Sequence, residues 1–337
     1  SSLVGSEMCI RDRAKPPGSL GLLEDLSVQL AGITGQVKNE VSHTRIYVLA
    51  ADNGVVCEGV SSAPQSVTRA QAINLTRGLT GASCLAKHFG DDLVVADMGI
   101  ALPYACPEIL NRSLGKGTAN IAAGPAMARQ TAVRGILTGM GLAAQAKRDG
   151  IQILGVGEMG IGNTTTSAAV SCVLLGRAPE EMTGRGAGLS DDGLRRKIEV
   201  IHQGIAVNHP EKTDVIGVLS ALGGLDIAGL CGVFLGGALE NIPVIIDGFI
   251  SSVAALCAAR LCPTATKAMF ASHVSAEPAA CIVLEALGKK PLITANMHLG
   301  EGTGAVASLP LWDMALAVYD NCYSFTEGGI APYTPQC

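Results

Sequence analysis

Short apolar runs alternate with longer stretches of helical spacing along most of the chain. The runs cover residues 45–51, 92–96, 151–156, 243–246, 268–271 and 291–295. Between them, stretches such as 67–89 and 254–261 repeat Ala and Leu at helical spacing. Near-continuous apolar strands that alternate with helices are typical of a parallel sheet covered by helices on both faces. The pattern therefore predicts an α/β fold.

Both ends of the chain carry further helical patterns, at residues 24–36 and 309–319. Residues 1–13 differ in character from the rest of the chain, and they lack the long apolar segment and cleavage site of a signal peptide. We interpret them as a foreign or mis-joined segment. The predicted domains are then a large α/β domain at residues 44–305 and a small helical domain formed by residues 14–43 and 306–337.

Five of the six apolar runs lead into an acidic residue or a histidine. Ligands of open α/β sheets bind outside the carboxyl ends of the strands, so these side chains are expected to line one crevice. An acid after a strand is also a common N-cap for the next helix, which is the alternative for each one taken singly. The residues are Asp52, Asp97, Glu158, Asp247 and His273.

The strongest local motif is the segment GEMGIGNTTT at residues 157–166, which follows a predicted strand and opens a predicted helix. Glycines let the backbone approach an anion, and a helix N-terminus offers unpaired N–H groups. The spacing is neither that of a Walker A loop nor G-x-G-x-x-G. The segment predicts an anion site, with a plain glycine-rich turn as the alternative.

A second glycine-rich segment, TGRGAGL at residues 183–189, precedes a helix that contains Lys197. Its glycines, its one arginine and the helix after it suit a phosphate group. Lys197 belongs to a basic triplet, for which a solvated helix face is the alternative.

A third segment, MHLGEGTGA at residues 297–305, places Glu301 among glycines after the predicted strand 291–295. Poor hydration there raises the pKa of the carboxyl group and makes Glu301 a candidate general base. The alternative is an exposed loop acid. Residues 51–68 are long enough to form a pocket wall. A Ser-His-acid triad within residues 271–278 is disfavoured because no G-x-S-x-G turn occurs.

Composition narrows the class of protein. The chain has 337 residues, 42 of them glycine, with 16% charged residues and a net charge of −5. These values exclude a disordered chain and disfavour a nucleic-acid partner. No apolar stretch reaches the roughly 20 residues of a membrane-spanning helix. The eleven cysteines show no zinc-ligand spacing. They are expected to be buried, reduced thiols, which predicts a cytoplasmic protein.

These segments, in this order and together with PPGSLG at 16–21 and DGFI at 247–250, resemble the nicotinate-nucleotide–dimethylbenzimidazole phosphoribosyltransferase family of cobalamin lower-ligand synthesis. The resemblance spans residues 15–330. It implies a Rossmann-like sheet domain with a small helical domain from both chain ends, a homodimer, and no metal or organic cofactor. It also implies transfer of a 5-phosphoribosyl group from nicotinate mononucleotide to dimethylbenzimidazole, which inverts C1′ and releases α-ribazole 5′-phosphate and nicotinate.

The resemblance also implies roles for individual residues. Glu301 would take the proton from the attacking azole, Lys197 would contact the phosphate or ribose, and Glu158 would act near the glycosidic bond. Substrate contacts are expected from Gly160, Gly162, Asn163, Thr164, Gly184, Arg185, Gly186, Asp52, Ser61, Ser62, Gln71, Asp247, His273 and His298.

Several positions depart from the family pattern. His298 stands where the family usually has Arg, and Asn53 where it often has His. Ala70, followed by Gln71, occupies a position that commonly carries Gln in the base pocket. These departures leave two alternatives: the same transfer to adenine, another benzimidazole or a phenol, or a non-catalytic nucleotide-binding protein. The poverty in aromatic residues predicts aliphatic walls for the base, or a contribution from Tyr104 and Phe89.

Overall fold

The structure is a computed structural model that describes residues 2–334. Its six strands form one sheet in the order β3-β2-β1-β4-β5-β6, and every neighbouring pair is parallel. This strand order is that of a Rossmann-like fold, so the predicted α/β class is confirmed. The strands are β1 (Thr44–Ala51), β2 (Asp92–Gly99), β3 (Leu110–Asn111), β4 (Ile153–Met159), β5 (Val244–Ile246) and β6 (Met269–Ala271).

Helices cover both faces of this sheet. Alternate residues of β1 enter different apolar clusters: Tyr47 and Leu49 pack on one side, and Ile46 and Val48 on the other. Short 3-10 helices occupy Gly54–Glu58 and Pro263–Ala268. The α-helices are α1 (Ser2–Arg11), α2 (Leu22–Thr34), α3 (Ser66–Thr76), α4 (Gly81–Phe89), α5 (Arg129–Arg148), α6 (Asn163–Leu175), α7 (Pro179–Met182), α8 (Asp191–Asn208), α9 (Val215–Leu222), α10 (Leu225–Leu239), α11 (Phe249–Leu261), α12 (Ala279–Leu287), α13 (Thr303–Asn321) and α14 (Phe325–Gly328).

The predicted strand at residues 291–295 is wrong. Only Ile293 forms a bridge there, with His273, beyond the end of β6. Pro291 has no N–H to donate, and residues 294–296 are exposed, so a ladder cannot continue. The sheet instead gains β3, whose two residues pair with the end of β2 and are too few to give a periodic signal.

The apolar stretch 67–89 is two helices rather than one. Gly78 takes a left-handed φ of 71° after α3. Thr80 then caps α4: its side chain accepts the backbone N–H of Ser83, whose hydroxyl bonds back to the cap. The break matters for the site, because Thr80 comes to lie beside Glu301.

Helices α5 and α10 cross with their main chains in contact. A Cβ atom on Gly139 would lie 1.9 Å from the carbonyl oxygen of Gly229, and one on Gly232 would lie 1.9 Å from that of Ile136. Only glycine permits so close an approach of two helix backbones. The crossing places α10, which begins near the carboxyl ends of the strands, firmly against the sheet.

The two chain ends meet beside the sheet. Helix α1 packs on α2, and α2 contacts α13. The guanidinium of Arg13 donates to the carbonyl of Cys322 at 2.7 Å. The predicted boundary at residue 305 falls inside the first turn of α13, and the domain division stays a prediction, as does the foreign origin of residues 1–13. Residues 1 and 335–337 lie outside the described part of the chain.

The cysteine environments differ from the expectation. Cys172, Cys231 and Cys257 are buried, whereas four other thiols are exposed, so burial of most thiols is wrong. Ten of the eleven cysteines lie in residues 2–334, and all ten are unpaired. Within the same residues, the apolar stretches of the helices are too short to cross a bilayer.

Candidate active site

A cavity of about 160 Å3 opens at the carboxyl ends of β4, β5 and β6, next to the point where the strand order reverses between β1 and β4. Ligands of open α/β sheets bind at such a reversal. The three glycine-rich segments converge on it. Its lining is Ser61, Ala63, Glu158, Met159, Gly160, Ile161, Gly162, Asn163, Thr164, Gly186, Ala187, Asp247, Gly248, Phe249, Ile250, His273, Ser275, Glu277, His298, Leu299 and Gly300.

The first segment passes from β4 into α6 through a tight turn. Gly162 adopts a φ of 92°, and a Cβ on Gly160 would lie 2.5 Å from the carbonyl oxygen of Ala51. Helix α6 then begins with Asn163 and Thr164 on the cavity wall. Its N-terminus therefore turns the positive end of the helix dipole toward the space that an anion would occupy.

Glu158 is buried at the cavity wall, where its Oε2 accepts the side-chain amide of Asn163. Burial raises the pKa of Glu158 to about 8; the Asn163 hydrogen bond opposes this shift, and Asp226, Asp247 and Glu301 add to it. The Oε1 atom lies so close to the third segment that a Cβ on Gly300 would be 2.6 Å from it. Glu158 thus joins the first and third segments.

Lys197, on α8, is buried behind the cavity wall rather than on it, and it links two segments. Its Nζ donates to the hydroxyl of Thr164 at 2.8 Å and to the carbonyl of Gly184 at 2.9 Å. Burial lowers the pKa of Lys197 to about 8, and the Glu277 carboxylate opposes that shift. A Cβ on Gly184 would lie 1.9 Å from Oε2 of Glu277, so glycine is required for the segment to pass this close to that carboxylate. The solvated alternative for Lys197 is therefore wrong.

The third segment has three successive residues with left-handed backbone: φ is 82° at Gly300, 63° at Glu301 and 86° at Gly302. For the non-glycine Glu301 this conformation costs about 1 kcal/mol or more. Asp247, at the end of β5, accepts the backbone N–H groups of Gly302 and Gly304 at 2.9 and 2.7 Å. One carboxylate therefore holds the start of α13 and the strained turn.

The Glu301 side chain is 2% exposed, so the predicted burial is confirmed. Burial raises its pKa, with a further contribution from Asp247, while Thr80 and the backbone of Ala82 oppose the shift. Its Oε2 atom is buried without a hydrogen-bond partner among the described residues. Glu301 stands immediately behind the cavity wall formed by Gly300, with a carboxylate oxygen free to accept a proton.

Asp52 and Asp97 do not line the cavity, so the expectation that all four carboxylates line one crevice is wrong for these two. Asp97 accepts the backbone N–H of Ile100 and the hydroxyl of Tyr104, each at 2.7 Å. Asp52 accepts the N–H of Ala101 at 2.7 Å. Both carboxylates accept backbone N–H groups of the turn after β2, which is the capping behaviour common for acids at strand ends.

Some of the other predicted contacts lie on the cavity wall, and others do not. Ser61, His273 and His298 lie on the cavity wall, and Nε2 of His273 is 3.5 Å from Oδ1 of Asp247. Gln71 accepts from Asn74 and is not a lining residue, and Ser62 is exposed.

Two further predictions concern the second segment and the aromatic rings. Arg185 is half-exposed and bonds to Leu189 O and Asp191, away from the wall. Tyr104 and Phe89 do not line the cavity; Phe249 does.

Sequence reasoning missed Asp226 and Thr80. Asp226 stands in the first turn of α10, where an acid is usually explained by the helix dipole, and only the fold brings it to Asn163. Thr80 was missed because it caps α4 inside a stretch that the sequence pattern predicts as one continuous helix. Within residues 2–334, no group of three His, Cys, Asp or Glu side chains is arranged to hold a metal ion.

The Rossmann-like sheet, the helix N-terminus at the cavity and the buried lysine define an α/β protein whose cleft has the groups that suit an anion. A family model described as "Phosphoribosyltransferase" matches residues 6–330. The chain therefore belongs to this phosphoribosyltransferase family and is an enzyme of that class.

Known proteins are similar to this chain over nearly its whole length. A nicotinate-nucleotide–dimethylbenzimidazole phosphoribosyltransferase of Acetivibrio thermocellus is 48% identical over 96% of this chain and 92% of its own length. The one of Ruminiclostridium cellulolyticum is 46% identical over 95% and 91%. The crystal structure of CobT from Thermus thermophilus matches with a TM-score of 0.94 at 37% identity, over 98% of this chain and 99% of that one.

Proposed function

We propose that the protein transfers the 5-phosphoribosyl group of nicotinate mononucleotide to 5,6-dimethylbenzimidazole, giving α-ribazole 5′-phosphate and nicotinate. One observation carries the proposal: the three glycine-rich segments meet at one cavity, with the buried Lys197 behind Thr164 on one side and the buried Glu301 behind Gly300 on the other. Relatives at 42–48% identity carry the name of this activity.

The donor phosphate suits the Lys197 side of the cavity. The ammonium group, the N-terminus of α6 and the backbone of Gly186 offer positive charge and N–H groups together. A compact, buried cation attracts a phosphate more strongly than an exposed one does, because little water competes with it. Glu158 would then stand nearer the glycosidic bond.

The acceptor chemistry suits Glu301. In the transfer, an azole nitrogen lone pair forms the new bond to C1′ while the bond from C1′ to the pyridinium nitrogen breaks. The bonding electrons leave with nicotinate, which neutralises its ring charge. The azole N–H proton moves to the Glu301 carboxylate, whose raised pKa brings it closer to the operating pH. Attack opposite the leaving group inverts C1′ from β to α.

The test is incubation of the purified protein with nicotinate mononucleotide and dimethylbenzimidazole, with nicotinate and α-ribazole 5′-phosphate followed by chromatography. We expect both products in equal amounts. Glu301→Gln should lower kcat by about 10²–10⁴-fold, the usual contribution of a general base. Asp192→Asn, at an exposed acid paired with Arg195, is the matched control and should leave kcat unchanged. A wild-type protein that releases no nicotinate with any azole, purine or phenol would refute the proposal.

A second candidate keeps the donor and changes the acceptor to adenine, another benzimidazole or a phenol. Ala70 favours it: the residue is exposed, and the neighbouring Gln71 amide is bound to Asn74 rather than to the cavity. Competition between equimolar acceptors decides the matter, because a clear preference for dimethylbenzimidazole removes this candidate.

We further propose that the enzyme acts in the cytoplasm as a homodimer, without a metal or organic cofactor and without a nucleic-acid or membrane partner. Unpaired thiols support a reducing compartment, and the net charge of −5 disfavours nucleic acid. The exposed Leu239, beside an apolar groove that also contains Met140, supports self-association. Sedimentation equilibrium of the purified protein tests the dimer.

A further inference from the structure

Asp226 is a buried carboxylate whose two oxygens serve different parts of the molecule. Oδ1 accepts the backbone N–H of Ile227 at 3.0 Å, a local bond at the start of α10. Oδ2 accepts Nδ2 of Asn163 at 2.9 Å, across 63 residues of sequence. The first bond explains an acid at a helix start, whereas the second bond has no role in α10. Asp226 therefore has a connection to the cavity wall that helix capping does not require.

The amide group of Asn163 is shared between two carboxylates. Its Nδ2 donates to Oδ2 of Asp226 and to Oε2 of Glu158. A side-chain amide nitrogen has two hydrogens, so both are used. Because the Asp226 carboxylate can only accept, the amide nitrogen faces it, and Oδ1 of Asn163 is left as an acceptor on a residue of the cavity wall.

The three side chains have little freedom to move. A Cβ on Gly160 would lie 2.8 Å from Oδ2 of Asp226 and 3.2 Å from Nδ2 of Asn163. On the other side, Oε1 of Glu158 rests against Gly300. Glu158 is thus held between the amide and the third glycine-rich segment, and Asp226 anchors that amide.

We propose that Asp226 is a positioning residue for the transfer reaction: through the amide of Asn163 it fixes Glu158 against Gly300, at the wall that faces the donor. The inference rests on the proposed function for its role in catalysis. Asp226 does not line the cavity, and it acts on substrate only through its two neighbours.

Asp226 also influences the charge of Glu158. The carboxyl groups that act on the charge of Glu158 are Asp226 from α10, Asp247 from the end of β5 and Glu301 before α13, and Asp52 faces Asp226 from the end of β1. The imidazoles of His273 and His298 line the same cavity, and Nε2 of His273 is 3.5 Å from Asp247. Burial raises the pKa of both partners, to about 8 for Glu158 and about 6 for Asp226. Glu158 therefore keeps its proton at neutral pH and can donate a hydrogen bond to an oxygen of nicotinate mononucleotide.

Two variants separate geometry from charge. Asp226→Asn keeps an oxygen for the Asn163 amide and removes the negative charge, whereas Asp226→Ala removes both. With nicotinate mononucleotide as the varied substrate, kcat should fall about tenfold in D226N and about 100-fold in D226A, while KM stays within about threefold. The alkaline limb of the kcat profile should move down by about one pH unit in D226N, because Glu158 then loses its proton more easily. Asp192→Asn should show neither effect.

A second readout does not depend on turnover. Carbon-13 NMR of carboxyl-labelled glutamate, with the signal of Glu158 identified by its loss in Glu158→Gln, should show a lower titration midpoint in D226N than in the wild type. If the wild type proves to have no transfer activity, the proposed function fails, and this midpoint still tests the link between Asp226 and Glu158. An unshifted midpoint in D226N, or a kcat in D226A within twofold of the wild type, would overturn the inference. If D226A does not fold, D226N decides it by pH profile and midpoint.

Discussion

Oδ1 of Asp247 accepts the backbone N–H of Gly304 at 2.7 Å. The other oxygen accepts the N–H of Gly302 at 2.9 Å, so one side chain at the end of β5 grips the backbone just after Glu301. Since Glu301 has a left-handed φ of 63°, its conformation needs support from outside the turn. Asp247 is the group that supplies it.

Asp247→Asn should therefore impair both stability and catalysis. An amide has one acceptor oxygen, so one of the two N–H groups would face an NH2 group and lose its partner. We expect a loss of about 1–3 kcal/mol in the free energy of unfolding. We also expect kcat to fall more than tenfold as Glu301 loses its fixed position. Urea denaturation and steady-state kinetics measure the two effects; unchanged stability would contradict the assigned role.

The lowered pKa of Lys197 predicts a pH-dependent affinity for the donor. Above about pH 8 the amine loses its proton, so KM for nicotinate mononucleotide should rise between pH 7.5 and roughly 9.5. Lys197→Met should have a high KM that changes little over this range. Lys212→Met, at an exposed lysine, should behave like the wild type. A wild-type KM that is flat across this range would count against Lys197 as the phosphate partner.

The same shift has a consequence for stability. The folded pKa of Lys197 lies below the ordinary value of 10.5, so the unfolded chain binds more protons between the two values. The contribution of Lys197 to the free energy of unfolding should therefore be lowest below pH 8 and should increase as the pH rises toward 10.5. The free energy of unfolding of Lys197→Met minus that of the wild type should therefore be larger at pH 7 than at pH 10. Equal differences at both pH values would contradict the burial of a charged amine.

Gly184→Ala tests the closure of the second glycine-rich segment over Glu277. The added Cβ would lie 1.9 Å from Oε2 of Glu277, and the carboxylate or the backbone must move. Because Gly184 also offers its carbonyl to Lys197, we expect about a tenfold rise in KM for the donor, equal to about 1.4 kcal/mol. Gly124→Ala, at a loop glycine with open space around it, is the control and should leave KM unchanged.

Two glycines of α5 form a matched pair for stability. Gly139→Ala forces a Cβ to within 1.9 Å of the Gly229 carbonyl oxygen and should destabilise the fold by about 3 kcal/mol or more. Gly141→Ala meets nothing within 4 Å and should be neutral or stabilising by up to about 1 kcal/mol, because alanine favours a helix. Thermal melts of both variants give the comparison, and similar melting temperatures would show that the helices can separate without loss.

The parts that the sequence predicted well are those with a local signal. The strands around Ile46 and Leu154 are continuous apolar runs, and the burial of Glu301 followed from its glycine neighbours. Asp226 could not be predicted, because its bond to Asn163 depends on how α10 begins relative to β4. The segment at 291–295 misled the prediction, because an apolar run can lie along a sheet edge without joining its ladder.

The crossing of α5 and α10 also bears on the scarcity of aromatic rings in this chain. Where Gly139 and Gly232 bring two main chains together, the backbones leave no space for a ring between them at the crossing. Close approach of backbones therefore takes the place of ring packing at this crossing, in a chain with 3% aromatic residues. For the proposed acceptor, a flat heterocycle, it means recognition by peptide planes and aliphatic edges, with Phe249 as the one phenyl ring on the described cavity wall.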